Sequence, residues 1–148
     1  MPDVAITAAQ RLLELQGDAA QSREWLLPVW ERMLEQPGGL LQTQSVDLVR
    51  VLELGFARGV ETLQGDWLTR IERAQLAQPG DPLLQYLAGV TCMRLQLWGK
   101  ARQLLQQSLV RLQDAGLRRD AWRQLAELAV QHGDQAAATE AWRSAAQS

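Results

Sequence analysis

The chain has 148 residues, of which 47% are hydrophobic and 22% are charged, and its net charge is −2 at pH 7. This composition is typical of a folded globular protein and gives no general electrostatic attraction to nucleic acid or anionic lipid. The one cysteine and one histidine, Cys92 and His132, cannot form an internal disulfide or the usual tetrahedral zinc site. We expect no signal peptide at the start of this sequence, and no apolar run in it reaches the roughly 20 residues of a membrane-spanning helix.

Helix-forming residues such as Ala, Leu, Gln, Glu and Arg dominate the sequence, and apolar residues recur three and four positions apart. Helix breakers interrupt this pattern most clearly at Pro37-Gly38-Gly39 and at Pro79-Gly80-Asp81-Pro82. Pro28 lies inside the second apolar segment and is expected to kink it, because proline lacks a backbone donor. The sequence predicts eight helices, near 3–16, 19–35, 45–58, 64–78, 82–96, 98–113, 119–131 and 135–147.

Three Gly-Asp pairs lie where one predicted helix should end and the next begin, at Gly17-Asp18, Gly65-Asp66 and Gly133-Asp134. Glycine allows the left-handed turn that ends a helix, and aspartate can cap the N-terminus of the following helix. Short connections of this kind make neighbouring helices antiparallel. We therefore predict one domain over residues 1–148 that consists of four helical hairpins, at about 3–35, 45–78, 82–113 and 119–147.

The last two predicted hairpins carry a repeat. The final hairpin alternates large and small residues in the tetratricopeptide manner, at Trp122, Leu125, Ala126, Ala129, Gly133, Ala138, Trp142 and Ala145. Four of these positions are matched 37 residues earlier, by Gly89, Ala101, Leu105 and Ser108. The excess over the typical ~34 residues is expected in the loop around 114–116. The pattern predicts an all-α, right-handed solenoid of antiparallel hairpins of the tetratricopeptide type, with an ordinary helical bundle as the alternative.

A set of short motifs follows one order from about Val46 to the end of the chain. The motifs are Ile71-Glu72-Arg73-Ala74, Pro79-Gly80-Asp81-Pro82-Leu83-Leu84, Leu87 with Gly89, Leu97-Trp98-Gly99-Lys100-Ala101-Arg102, Leu105, Ser108-Leu109, Asp134 with Ala137-Ala138, and Ala141-Trp142-Arg143. In their order and spacing they resemble the bacterial HemY family.

The resemblance implies a protein of the bacterial inner membrane that is associated with haem and porphyrin biosynthesis. Members of that family carry an N-terminal transmembrane hairpin before a tetratricopeptide region. The expectation is therefore a soluble C-terminal fragment on the cytoplasmic side, attached to the membrane only through a missing N-terminal part. The resemblance does not imply an enzymatic activity.

The residues themselves give no indication of catalysis. Close groupings of His, Cys and Ser, and the glycine-rich loops that hold phosphate, are missing from the sequence. His132, beside a predicted turn, is expected to be exposed, and the alternative for its imidazole is a haem ligand. Cys92 is expected to be a small buried side chain, and Arg118 and Arg119 to be solvated. Of the six tryptophans, we expect about five to serve the core and one to face a partner.

In a tetratricopeptide stack the first helices of successive hairpins line a concave groove. Such a groove would suit an extended peptide or a partner helix if it contained guanidinium groups, a tyrosine and carboxylates. The predicted groove residues are Arg50, Leu83, Tyr86, Val90, Arg94, Asp120, Arg123, Glu127 and Gln131.

The final hairpin predicts a second surface. Leu128, Trp142 and Ala145 could leave an apolar patch uncovered, which favours a homo-oligomer formed through an end hairpin. The functional prediction is a protein–protein interaction scaffold that binds a haem-biosynthesis enzyme. The alternatives are a porphyrin or haem carrier, and a generic tetratricopeptide adaptor of envelope assembly.

Overall fold

The structure, a computed structural model, describes residues 1–16, 19–36, 38–56 and 66–148. Over these residues the protein is all-helical, as predicted, and contains no strand. The helices are α1 (Pro2–Gln16), α2 (Ala19–Glu35), α3 (Gln42–Phe56), α4 (Asp66–Ala77), α5 (Pro82–Arg94), α6 (Trp98–Arg111), α7 (Ala115–Gln131) and α8 (Gln135–Gln147).

Aspartate side chains cap the N-termini of three of these helices. Asp81 accepts hydrogen bonds from the backbone N–H groups of Leu83 and Leu84 at the start of α5, where Pro82 occupies the first helical position. Asp114 and Asp134 cap α7 and α8 in the same way. Each carboxylate satisfies backbone donors that have no partner within the helix.

Two predicted boundaries were wrong. Helix α7 begins at Ala115 rather than at 119, because Asp114 caps it and Gly116 continues the helix instead of breaking it. The residues in excess of a typical repeat therefore form an extra turn of α7 and not a loop. Helix α3 begins at Gln42 rather than at 45, and the side chain of Gln44 accepts a hydrogen bond from the backbone N–H of Leu41 there.

Helix α2 runs continuously from Ala19 to Glu35 with Pro28 inside it. The loss of one backbone donor therefore does not end this helix. Gly38 has a φ of +72°, a left-handed conformation that suits glycine. Two of the predicted Gly-Asp junctions, at 17–18 and at 65, fall outside the described residues, as does Pro37.

The chain divides into two compact units, Met1–Arg70 and Ile71–Ser148, and the division falls within α4. In the first unit α1, α2 and α3 pack against one another. Its most deeply buried side chains are Leu13, Leu26, Trp30, Leu48, Leu52 and Phe56. The prediction of a single domain over the whole chain stays a prediction.

Arg23 is an unusual member of the first unit's core. Its guanidinium lies 5.8 Å from the centre of the Phe56 ring, and burial lowers the pKa of this group. Its Nη1 atom is buried without a hydrogen-bond partner. A cation over an aromatic face recovers part of the interaction with water that such a group loses on burial.

In the second unit α5 packs on α6, α7 packs on α8, and α6 joins the two hairpins through α7. Residues 83–92 of α5 are buried all round the helix, as expected of a segment that is mainly apolar, and the two polar side chains in it, Gln85 and Thr91, donate hydrogen bonds to backbone oxygens. Arg118 donates hydrogen bonds to the backbone oxygens of Leu109 (2.7 Å) and Leu112 (3.0 Å). Arg118 therefore connects α7 to the end of α6. The prediction that its side chain is only solvated was wrong.

The two hairpins of the second unit turn in the same way. Gln96 and Gly133, 37 residues apart, both have positive φ, at 62° and 74°. The backbone hydrogen bonds around them are the same at that offset: Leu97 to Cys92 corresponds to Asp134 to Ala129, and Gln96 to Met93 corresponds to Gly133 to Val130. The offset is the one at which the sequence pattern repeats, so the repeat extends to backbone geometry.

Candidate functional site

A cleft of roughly 400 Å³ opens among α6, α7 and α8 of the second unit. Four-residue steps along α6 and three- or four-residue steps along α7 bring one side chain per turn into its lining. Its base is apolar and includes the buried Leu125, Leu128 and Ala141. Its remaining lining residues are Trp98, Gly99, Arg102, Gln106, Trp122, Ala129, His132, Asp134, Ala137 and Glu140.

Three aromatic rings give the cleft its character. Trp98 and Trp122 are both partly exposed. His132 makes an edge-to-face contact with Trp98, with ring centres 6.4 Å apart and planes at 87°. The His132 ring also forms a 2.8 Å hydrogen bond between Nδ1 and the backbone oxygen of Leu128. These two contacts hold the imidazole against Trp98 at the mouth of the cleft.

The charged groups of the cleft differ in whether they already have a partner. The Asp134 carboxylate already accepts the backbone N–H of Ala137 as the cap of α8. Arg102 on α6 and Glu140 on α8 are exposed, and neither forms an ion pair within the described residues. The cleft thus presents one unpaired cation and one unpaired anion from different helices.

The cleft and the predicted groove lie on different faces of α7. At 3.6 residues per turn, Asp120, Arg123 and Glu127 lie about 100–180° round the helix from the cleft residues Trp122 and Ala129. The α7 groove residues are Asp120, Arg123, Glu127 and Gln131; the first two form an ion pair of 3.6 Å, and the last two are exposed.

Three of the predicted groove residues are not accessible. Leu83, Tyr86 and Val90 are buried, and Tyr86 has no exposed surface at all. The prediction that these side chains present an inner face was wrong, because residues 83–92 of α5 are buried all round the helix. Arg94, at the end of α5, is exposed, and so is Arg50, which lies on α3 in the first unit.

Fewer tryptophans are buried in the core than predicted. Trp30 and Trp67 are buried and meet edge to face at 5.7 Å in the first unit. Trp25 and Trp142 are more than two-fifths exposed, and Trp98 and Trp122 line the cleft. The expectation of five core tryptophans was therefore wrong, because burial of the repeat's small residues does not require burial of the large ones.

The expectations for Cys92 and His132 were correct. Cys92 is buried, and burial raises the pKa of its thiol, with a smaller opposing effect of Lys100 and a further increase from Glu72. His132 is exposed. Within the described part of the chain, no group of three or more His, Cys, Asp and Glu side chains is placed to hold a metal ion.

At the final hairpin, Leu128 and Ala145 are buried and only Trp142 of the predicted apolar patch is exposed. None of the described helices is both long enough and apolar enough to cross a membrane.

Sequence reasoning missed Arg102, Gln106 and Glu140 as site residues. The signal available for two of them was their spacing from Trp98, since Trp98, Arg102 and Gln106 follow one another at four-residue steps on one face of α6. Glu140 carried no such signal, because its proximity to α6 depends on how two hairpins pack.

Comparisons of the sequence with protein-family models, with curated proteins and with solved structures found no match.

Proposed function

We propose that this protein is an interaction module of the tetratricopeptide type, which holds a segment of another protein in the cleft among α6, α7 and α8. The observation that carries the proposal is the composition of that cleft: an apolar base, two partly exposed tryptophans and unpaired charges at the rim. Recognition surfaces combine these features, because aromatic rings supply contact area and polar groups at the edge fix orientation.

The repeat of the two hairpins supports the tetratricopeptide part of the proposal. The small residues Gly89 and Ala126, at equivalent positions, are both buried, as are Ala101 and Ala138. A carbon added to Gly89 would meet Leu105 of α6 at 2.9 Å, so this position sets the separation of α5 and α6. Small residues that allow close helix approach are the basis of stacked hairpin arrays.

A partner among the haem-biosynthesis enzymes, and a place at the bacterial inner membrane, are the finer part of the proposal. They rest on the resemblance of the motifs around 71–109 and 134–143 to the HemY family. An adaptor role in envelope assembly would use the same cleft with a different partner, so partner identification separates the two.

The lining does not favour the porphyrin carrier. A porphyrin with two propionates needs cationic groups to hold them, and the cleft contains one guanidinium, Arg102, beside the carboxylates of Asp134 and Glu140. The imidazole of His132 is the one ligand in the lining suited to haem iron. A titration of the protein with protoporphyrin or haemin is expected to show no stoichiometric binding.

The test is an affinity pull-down from solubilised membranes with three baits. The cleft variant Arg102→Glu/Glu140→Lys and the control variant Arg123→Glu/Glu127→Lys each exchange two exposed charges and leave the net charge unchanged. We expect the native chain and the control to retain the same partner and the cleft variant to lose it. Loss from the control alone would place the site in the predicted groove, and retention by all three baits would contradict the cleft.

A further inference from the structure

We infer that the cleft among α6, α7 and α8 receives an arginine side chain from the bound segment, with its guanidinium stacked on a tryptophan of the cleft and paired with Glu140. This inference rests on the proposed function and specifies the chemistry of the partner. It commits to a peptide segment in which an arginine is the central contact.

Among the described residues, no cationic side chain lies over a tryptophan ring of the cleft. Elsewhere in the chain guanidinium groups do lie over rings: Arg70 is 5.4 Å from the centre of Trp67, and Arg23 lies over Phe56. Among the described residues, neither Trp98 nor Trp122 has such a partner. Both indoles are partly exposed, and an exposed indole face attracts a cation.

The charges of the cleft complement a cation rather than an anion. Two carboxylates, Asp134 and Glu140, line the cleft against one guanidinium, Arg102. Glu140 is exposed and has no ion-pair partner within the described residues, so it can accept two parallel hydrogen bonds without first breaking a contact. An acidic ligand would meet a lining with more carboxylates than guanidinium groups.

Arginine fits these features better than lysine does. Its guanidinium is planar and can stack on an indole while its edge donates to a carboxylate, whereas an ammonium is a compact, strongly hydrated charge. The apolar base formed by Leu125, Leu128 and Ala141 suits the methylene groups of the arginine stem. Arg102, the one guanidinium of the lining, can donate hydrogen bonds to backbone oxygens of the segment.

The experiment uses the full chain and two blocked tripeptides, acetyl-Gly-Arg-Gly-amide and its citrulline counterpart, which has nearly the same shape without the charge. Binding is followed by NMR through the indole N–H signals of Trp98 and Trp122. We expect saturable shifts with the arginine peptide and affinity about tenfold weaker with the citrulline peptide. Glu140→Gln should weaken arginine binding by a similar factor, and the matched control Glu127→Gln on the other face of α7 should leave it unchanged.

Equal affinity for the two peptides, or an unchanged affinity in Glu140→Gln, would overturn the inference while leaving a peptide-binding cleft intact. Stronger binding of acetyl-Gly-Asp-Gly-amide would also overturn it and would point to Arg102. Absence of any shift with the arginine peptide would overturn it as well. The proposed function has a separate criterion, because loss of the partner from the Arg102→Glu/Glu140→Lys bait does not depend on which side chain the partner inserts.

Discussion

Gly55 and Gly89 lie buried inside helices, where glycine is normally unfavourable because it loses more backbone freedom on folding than alanine does. Their surroundings differ. A Cβ atom at Gly89 would lie 2.9 Å from Cγ of Leu105 and 3.3 Å from its backbone N, whereas the nearest atoms to a Cβ at Gly55 are 3.8 Å away. Close helix approach explains the first glycine and does not explain the second.

We therefore expect opposite effects from the same substitution. Gly89→Ala should lower the free energy of unfolding by about 1–3 kcal/mol, because α5 and α6 must separate. Gly55→Ala should raise it by about 0.5–1 kcal/mol, because the methyl group fits and alanine favours the helix. Urea unfolding followed by circular dichroism measures both. A stabilised Gly89→Ala protein would mean that Leu105 can move aside at little cost.

Cys92 makes stability depend on pH at the alkaline end. Because burial raises the pKa of its thiol in the folded protein, the unfolded chain ionises first, near the ordinary thiol value of about 8.5. Above that pH the unfolded state binds fewer protons than the folded state, so the free energy of unfolding falls as the pH rises toward the folded pKa. The thiol's contribution is fully present below the unfolded pKa.

The test compares the native chain with Cys92→Ala between about pH 7 and pH 10. The native chain should lose more of its free energy of unfolding over this range, because alanine has no proton to release. Lysine and tyrosine titrate in both proteins and cancel in the comparison. Parallel pH profiles for the two proteins would show that the thiol has the same pKa in the folded and unfolded states.

At the scale of helices, the α5–α6 junction is the less favourable copy of the α7–α8 junction. Gln96 has a positive φ, where the second copy has Gly133. Leu97 precedes α6 without a side-chain cap, where the second copy has Asp134 capping α8. A side chain other than glycine is strained at positive φ, and an uncapped helix start leaves backbone donors without partners.

Replacing the residues of the α5–α6 junction with those of the α7–α8 junction should stabilise the protein. We expect Gln96→Gly to add up to about 1 kcal/mol to the free energy of unfolding and Leu97→Asp to add about 1 kcal/mol through a new cap. The reverse exchange, Asp134→Leu, should cost a similar amount. Thermal unfolding of the three variants measures the differences, and a destabilised Leu97→Asp protein would show that the exposed Leu97 makes contacts that outweigh the cap.

The helices could be predicted because their signals are local. Asp81 and Asp134 cap the helices that follow them, and Gly133 supplies the left-handed turn that its type favours. The start of α7 could not be predicted correctly because two local signals conflicted. Gly116 favours the loop predicted around 114–116, whereas Asp114 accepts the backbone N–H of Leu117 and begins the helix two residues before that glycine.

At the scale of the molecule, the site depended on packing that local patterns do not contain. The predicted groove requires exposed side chains on the first helix of each hairpin. Arg123 and Glu127 on α7 are exposed, whereas Tyr86 on α5 is buried. The cleft collects side chains from three helices of two hairpins. Repeat spacing identifies which residues are small and close, but it does not show which tryptophans remain uncovered.

Trp142 gives the prediction of self-association a specific test. It occupies the repeat position of Leu105, which is fully buried, yet it is 44% exposed. A second copy that stacks on α8 would cover its indole, and aromatic side chains contribute much of the energy of such contacts. Trp25 in the first unit is a matched control, because it is the same residue type with 42% of its surface exposed.

We expect sedimentation velocity to show association of the native chain at high concentration, reduced in Trp142→Gln and unchanged in Trp25→Gln. Both substitutions replace a partly exposed indole with a polar side chain, so a general loss of hydrophobic surface would affect the two variants alike. Loss of association in Trp25→Gln alone would move the contact to the first unit. A native chain that remains strictly monomeric would contradict self-association through the final hairpin and leave Trp142 as a solvent-exposed side chain of α8.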